Sequence, residues 1–156
     1  MSEQFALRPY RDEDEDAAIA LWQRTWQEAY HSIDFTARLA WWRGRWRNGL
    51  APHAAIVIAE RAGHTVGFVT IDEDGYLDQL VVAPEHWGSQ AATLLVDEAK
   101  RRAPNGLTLH VNRDNARAIR FYERNGFVHA GDGVNSTSGR PVLKMQWKAT
   151  PPSRET

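Results

Sequence analysis

Residues 81–95 read VVAPEHWGSQAATLL. Two β-branched residues lead to Pro84, which cannot donate to a sheet ladder. A glycine follows at 88, and the pattern then turns helical. A strand that feeds a helix start this abruptly leaves several backbone N–H groups unpaired and converging. With the helix dipole behind them, they suit a phosphate or diphosphate. Gly88, Ser89, Ala91 and Ala92 are small enough for a bulky anion to reach the backbone. The competing reading is a glycine kept for packing alone. The helical pattern is predicted from about Trp87 to Ala103, with Ala91, Ala92, Leu95, Val96 and Ala99 on one face. Lys100, Arg101 and Arg102 fill its last turn, where the dipole favours cations.

Working outward, residues 107–111 (LTLHV) read as a strand and residues 115–124 as a short helix ended by Asn125-Gly126. Residues 127–130 and 142–147 predict a closing hairpin. Upstream, residues 54–60, 65–71 and 76–82 are three strands of a meander, with turns at 61–64 and 72–75. Before them lie a strand at 5–10 and two helices. Asp12 and Glu15 have capping-box spacing for the first, whose inner stripe is Ile19, Trp22, Trp26 and Tyr30. Ser32 or Asp34 caps the second, with Phe35, Leu39, Trp42 and Trp46 inward. No repeat or linker interrupts the chain. The expectation is one α+β domain over residues 1–149 and a frayed tail at 150–156.

Composition narrows the classes. The 156 residues hold 19 Lys plus Arg against 20 Asp plus Glu, a net charge of −1. That balance argues against a general nucleic-acid binder, which depends on phosphate neutralisation. Thiolate catalysis, disulfides and Cys-ligated zinc are excluded, since cysteine is absent. No apolar run approaches the roughly 20 residues of a membrane span, and no signal peptide is evident, so a cytoplasmic protein is expected. No pairing of His with carboxylates suggests a metal. The segment WWRGRWR at 41–47 invites an anion-binding story, but an amphipathic helix with Trp42 and Trp46 inward explains it as well.

The segments 81–95 and 115–127 (NARAIRFYERNGF) together resemble the two signature motifs of the GNAT superfamily of N-acetyltransferases. The first is similar to V-x-P-x-x-[RQ]-G-x-G-x-[GA], with Trp87 where Arg or Gln is usual and Gln90 at the second glycine. The second follows N-x-x-A-x-x-[FL]-Y-x-x-x-G-F through Asn115, Ala118, Phe121, Tyr122, Gly126 and Phe127. The order of elements also fits over about residues 5–148. The resemblance implies a GNAT-like fold, a mixed central sheet flanked by about four helices. It implies acetyl-coenzyme A as co-substrate. Backbone groups of Leu80, Val81 and Val82 would meet its pantetheine arm. Trp87, Gly88, Ser89, Gln90, Ala91 and Ala92 would hold its diphosphate, and Asn115 would bond to it nearby. It implies too that Trp26, Tyr30, His31 and Trp42 line the acceptor side, and that a homodimer is one available assembly.

The implied reaction is acetyl transfer to a primary amine: a small amine, an amino acid or a peptide N-terminus. The amine must be neutral to attack, although such amines have pKa values near 10.4. Oriented strand N–H groups would stabilise the developing oxyanion. Tyr122 is the expected general acid for the leaving thiolate, because a phenol of pKa near 10 keeps its proton at neutral pH. Asp78, two residues from Leu80 and so on its face of an ideal strand, is the candidate base. The alternative is a non-catalytic acyl-coenzyme A-binding module, motivated by Trp87 and Gln90.

Overall fold

The computed structural model describes residues 4–136 and 138–148. The expected tail at 150–156 lies outside them. Strands β1 (Ala6–Pro9), β2 (Ala54–Arg61), β3 (His64–Asp72) and β4 (Leu77–Val82) form one antiparallel sheet in that order. The central strands are apolar on both faces because both faces are covered. Val57, Ala59 and Val69 enter one core, and Ile56, Ile58 and Phe68 enter the other. The β2–β3 hairpin turns through Ala62 (φ 52°) and Gly63 (φ 80°) between the paired Arg61 and His64. Two positive φ values match a type I′ turn, where Asn-Gly is the preferred pair. An alanine is strained there. Ala62→Asn is therefore expected to stabilise the protein by about 1 kcal/mol, read as a rise of a few degrees in Tm.

Strands β5 (Leu107–Asn112), β6 (Val128–Val134) and β7 (Pro141–Trp147) form a second antiparallel sheet, ordered β5-β7-β6. The mixed sheet foreseen from sequence is thus two antiparallel sheets with one parallel contact. Tyr76 bridges to Thr108, and the Thr108 N–H donates to the Gly75 carbonyl at 3.0 Å. Gly75 (φ 81°) and Gly106 (φ 109°) allow this approach: a Cβ on Gly75 would lie 2.6 Å from the Gly106 oxygen. Beyond that bridge β4 and β5 share no ladder among the described residues. They bound a cleft.

Helices α1 (Glu15–Ala29) and α2 (Leu39–Arg45) cover one face of the first sheet. The expected capping pair of Asp12 and Glu15 is not what starts α1. A 3-10 turn over Asp12–Asp14 leads into it, closed by Asp14: its carboxylate accepts from the Arg11 N–H (2.7 Å) and from both terminal nitrogens of Arg8 (2.8 and 2.6 Å). The Arg8 guanidinium holds the Asp14 carboxyl below its usual pKa. Glu15 instead pairs with Arg43 and Arg47. A wide turn over Trp46–Leu50 extends α2. Trp22 stacks on Trp42 with ring centroids 4.5 Å apart, and Trp46 meets the Phe68 ring edge-on at 5.2 Å. The WWRGRWR segment therefore turns Trp42 and Trp46 inward, while Arg43, Arg45 and Arg47 each face a carboxylate.

On the other face lies α3 (Ala91–Arg102), burying Ala91, Leu95, Val96 and Ala99. It begins four residues later than the pattern from Trp87 suggests. Pro84–His86 forms a 3-10 turn, and Gly88 at φ 82° breaks the helical path. Helix α4 (Ala116–Arg124) follows β5 and buries Tyr122. No helix among the described residues is long and apolar enough to cross a membrane.

Candidate active site

The cleft edge of β4 is set by register. The Ala83 N–H donates to the Val66 carbonyl at 2.8 Å. Antiparallel alternation then pairs the backbone of Val81 with Phe68 and turns the backbone groups of Leu80 and Val82 away from β3, toward the cleft. Val81, expected to serve a ligand through its backbone, is corrected on this point: its N–H and carbonyl belong to the β3 ladder. Its side chain is buried against the α1–α2 core. The Val82 carbonyl accepts from Trp87 Nε1 at 2.8 Å, which shows the outward direction of that edge.

A bulge interrupts β4. Thr70 faces Gln79 and Ile71 faces Leu77, so Asp78 is the extra residue. The Gln79 N–H donates to Thr70 Oγ1 at 3.0 Å. The bulge also removes the alternation that would put Asp78 on the face of Leu80. Leu80 packs toward the core under α3, whereas Asp78 forms an ion pair with Arg45 of α2. Its carboxylate is engaged by that guanidinium and does not share the face of Leu80. That is a correction to its expected role as base.

The turn before α3 supplies the donors. Ser89 N–H is taken by the His86 carbonyl (3.1 Å), and Ala91 N–H by Ser89 Oγ (3.2 Å). These two are therefore not free for a ligand. The Leu94 N–H makes the first helical bond, to Gln90 (2.9 Å). Among the described residues this leaves the N–H groups of Gly88, Gln90, Ala92 and Thr93 without a partner. Thr93 was missed from sequence because the helix starts later than its apolar pattern. Gly88 is needed for its φ and not for space, since a Cβ there would touch nothing within 4 Å. Gln90 is exposed, so its side chain does not fill the turn.

Tyr122 stands on α4, edge-on to Phe121 and Phe127 at 5.4 Å each, and is 8% exposed. Its hydroxyl makes no hydrogen bond to a described residue. Burial pushes its pKa well above the usual phenol value, so it stays protonated near neutral pH. Tyr76, at the bridge between the sheets, is pushed up to about 12, chiefly by burial. Asn115 caps α4 by accepting the Ala118 N–H at Oδ1 (3.2 Å). That oxygen is occupied, and the carboxamide nitrogen remains as its donor.

On the acceptor side, Trp26 and Tyr30 stack at 5.7 Å. Tyr30 Oη donates to Asp114 Oδ1 (3.0 Å) and accepts from Asn112 Nδ2 (3.0 Å). The Arg140 guanidinium lies 4.6 Å from the Tyr30 ring centroid and pairs with Asp114. Asn112, Asp114 and Arg140 come from distant segments, and nothing local in the sequence marks them. His31 is exposed. Trp42, expected in the acceptor pocket, is 1% exposed and sits in the core between Trp22 and Trp46. It is corrected to a packing residue. No cluster of three or more His, Asp or Glu side chains among the described residues could hold a metal ion.

Three features of this chain suit coenzyme A: unpartnered N–H groups before α3, an unpaired strand edge on β4, and an unbonded phenol on α4. Comparison with known proteins agrees. A sequence model described as Acetyltransferase (GNAT) family matches residues 15–127. The peptidyl-lysine N-acetyltransferase YjaB of Salmonella typhimurium strain LT2 is 29% identical over 135 residues, covering 86% of this chain and 91% of that protein. The solution structure of apo YjaB from Escherichia coli superposes with a TM-score of 0.76 at 25% identity, covering 94% of this chain and 99% of that one. The PaiA N-acetyltransferase of Thermoplasma acidophilum, solved with coenzyme A, shares the fold. Its TM-score is 0.72 at 20% identity, covering 93% and 99% of the two chains.

Proposed function

The chain belongs to the GNAT acetyltransferase family, and on that premise we propose that it transfers acetyl from acetyl-coenzyme A to a primary amine of a peptide, the lysine side chain first among candidates. The curated relatives named as peptidyl-lysine acetyltransferases support that acceptor over a free amino acid or small amine. The observation that carries the catalytic reading is the buried Tyr122, whose hydroxyl bonds to no described residue, on the helix after β5.

Acetyl-coenzyme A supplies an activated acyl carbon and a thiolate leaving group. The residues of this chain do the rest. The N–H groups of Gly88, Gln90, Ala92 and Thr93 hold phosphate oxygens, helped by the α3 dipole. The cleft-facing Leu80 carbonyl and Val82 N–H pair with the pantetheine amides as a neighbouring strand would. The Leu80 N–H is the donor assigned to the oxygen that gains charge, where a preorganised N–H acts without reorganisation. Tyr122 gives its Oη proton to the departing sulfur. We assign the ammonium proton of the acceptor to water in the cleft, because Arg45 holds Asp78.

A thiol-release assay tests the reading. The panel is N-terminally blocked lysine peptides, peptides with free N-termini, free amino acids and small amines. Blocked lysine peptides are expected to give the fastest turnover. Release with none of these amines, from a protein that binds acetyl-coenzyme A in calorimetry, would leave the non-catalytic binding module instead.

A further inference from the structure

The turn that should hold a diphosphate has no strong cation of its own. Residues 84–93 read PEHWGSQAAT, with His86 as the sole basic side chain and Glu85 as an acid. Glu85 is paired with Arg24. Four neutral N–H groups are a modest match for the several negative charges of coenzyme A.

A guanidinium lies beside them. Arg117, on the first turn of α4, stands with Cζ 3.8 Å from the centroid of the Trp87 ring. Trp87 is itself pinned, since its Nε1 donates to the Val82 carbonyl at 2.8 Å. It immediately precedes Gly88, the first of the free donors. Most arginines of this chain face a carboxylate, but Arg117 has none among the described residues. Nor do Arg120 and Arg124, which follow it at i+3 and i+7 on one side of α4. A cation parked on an indole keeps its full donor set available, because the ring engages the guanidinium face and leaves the N–H edges open.

We propose that Trp87 and Arg117 act as one unit in coenzyme binding: the indole, clamped on Val82, presents the Arg117 guanidinium to a phosphate of coenzyme A. This rests on the reading of the turn before α3 as the diphosphate site and adds the residue that supplies its positive charge. Arg117 matches a phosphate by paired N–H donors, which a lysine ammonium would not reproduce. The ligand chemistry is a phosphate ester, from either the diphosphate or the 3′-phosphate.

Calorimetry on the full chain tests this with coenzyme A, dephospho-coenzyme A and pantetheine. Arg117→Gln is expected to weaken coenzyme A about tenfold or more, the usual scale for losing a charged hydrogen bond. It should leave pantetheine unchanged. Added salt should weaken the wild type more than the variant. Arg117→Lys should recover only part of the loss, and Trp87→Ala should weaken coenzyme A although Arg117 remains. An equal loss on dephospho-coenzyme A assigns the diphosphate; a loss confined to coenzyme A assigns the 3′-phosphate. Both support the proposal. Wild-type affinity of Arg117→Gln for coenzyme A overturns it. A wild type that binds no coenzyme A would instead overturn the diphosphate site itself.

Discussion

Tyr122→Phe is expected to lower kcat by about 100-fold while leaving coenzyme A affinity and Tm close to wild type. The structure makes this a clean experiment. The Tyr122 ring packs against Phe121 and Phe127, and phenylalanine keeps that packing. Its hydroxyl bonds to no described residue, so deleting the oxygen breaks no hydrogen bond among them. A structural role would therefore show as nothing at all, and a proton-donor role as a loss in kcat with little change in KM. The pH profile adds a sign. Burial raises the Tyr122 pKa, so its acid form persists through neutral pH and is lost only above the ordinary phenol range. A fall in kcat that begins near pH 8 would point to another group. Turnover of Tyr122→Phe within a few-fold of wild type would remove the general-acid assignment.

The largest stability effect is expected at Trp46. This side chain is 0% exposed, meets Phe68 edge-on, packs near Trp42, and donates from Nε1 to Tyr10 Oη at 3.1 Å. Trp46→Ala should cost about 3–5 kcal/mol through a large cavity and lost transfer energy. For a chain of this size that corresponds to a drop in Tm of about 10 °C or more. Trp46→Phe should cost clearly less, because it refills most of the volume and gives up mainly the bond to Tyr10. Denaturant melts of the pair settle the point: equal midpoints for both variants would mean that volume is not what Trp46 contributes. Arg45 sits one residue away, holding Asp78 at the β4 bulge. Loosening this helix should therefore also disturb the cleft edge, seen as a higher KM for the acceptor.

The elements were legible in the sequence wherever period and punctuation agreed. The meander at 54–82 could be read from apolar runs between turn residues, and the 115–127 motif placed Tyr122 on its helix. What failed had local causes. The start of α3 was misread because Trp87 continues the apolar spacing of the helix, while Gly88 adopts a φ that pattern reading cannot see. Asp78 was set on the wrong face because one extra residue in β4 shifts the alternation, and a bulge leaves no mark in composition. Trp42 had the right spacing for either pocket or core, and only the stacking on Trp22 separates the two. Asn112, Asp114 and Arg140 gather around Tyr30 through tertiary folding, which no window of sequence contains.

One consequence follows from the lone bridge between Tyr76 and Thr108. The two sheets share a core, yet among the described residues their backbones join at a single rung, and the next rungs along β4 are left for a guest to complete. A ligand lying there would knit the sheets together along its whole length. Substrate would then act as mortar as well as fuel, and the chain should resist heat and proteases better when well supplied with it than when starved, by mass action alone.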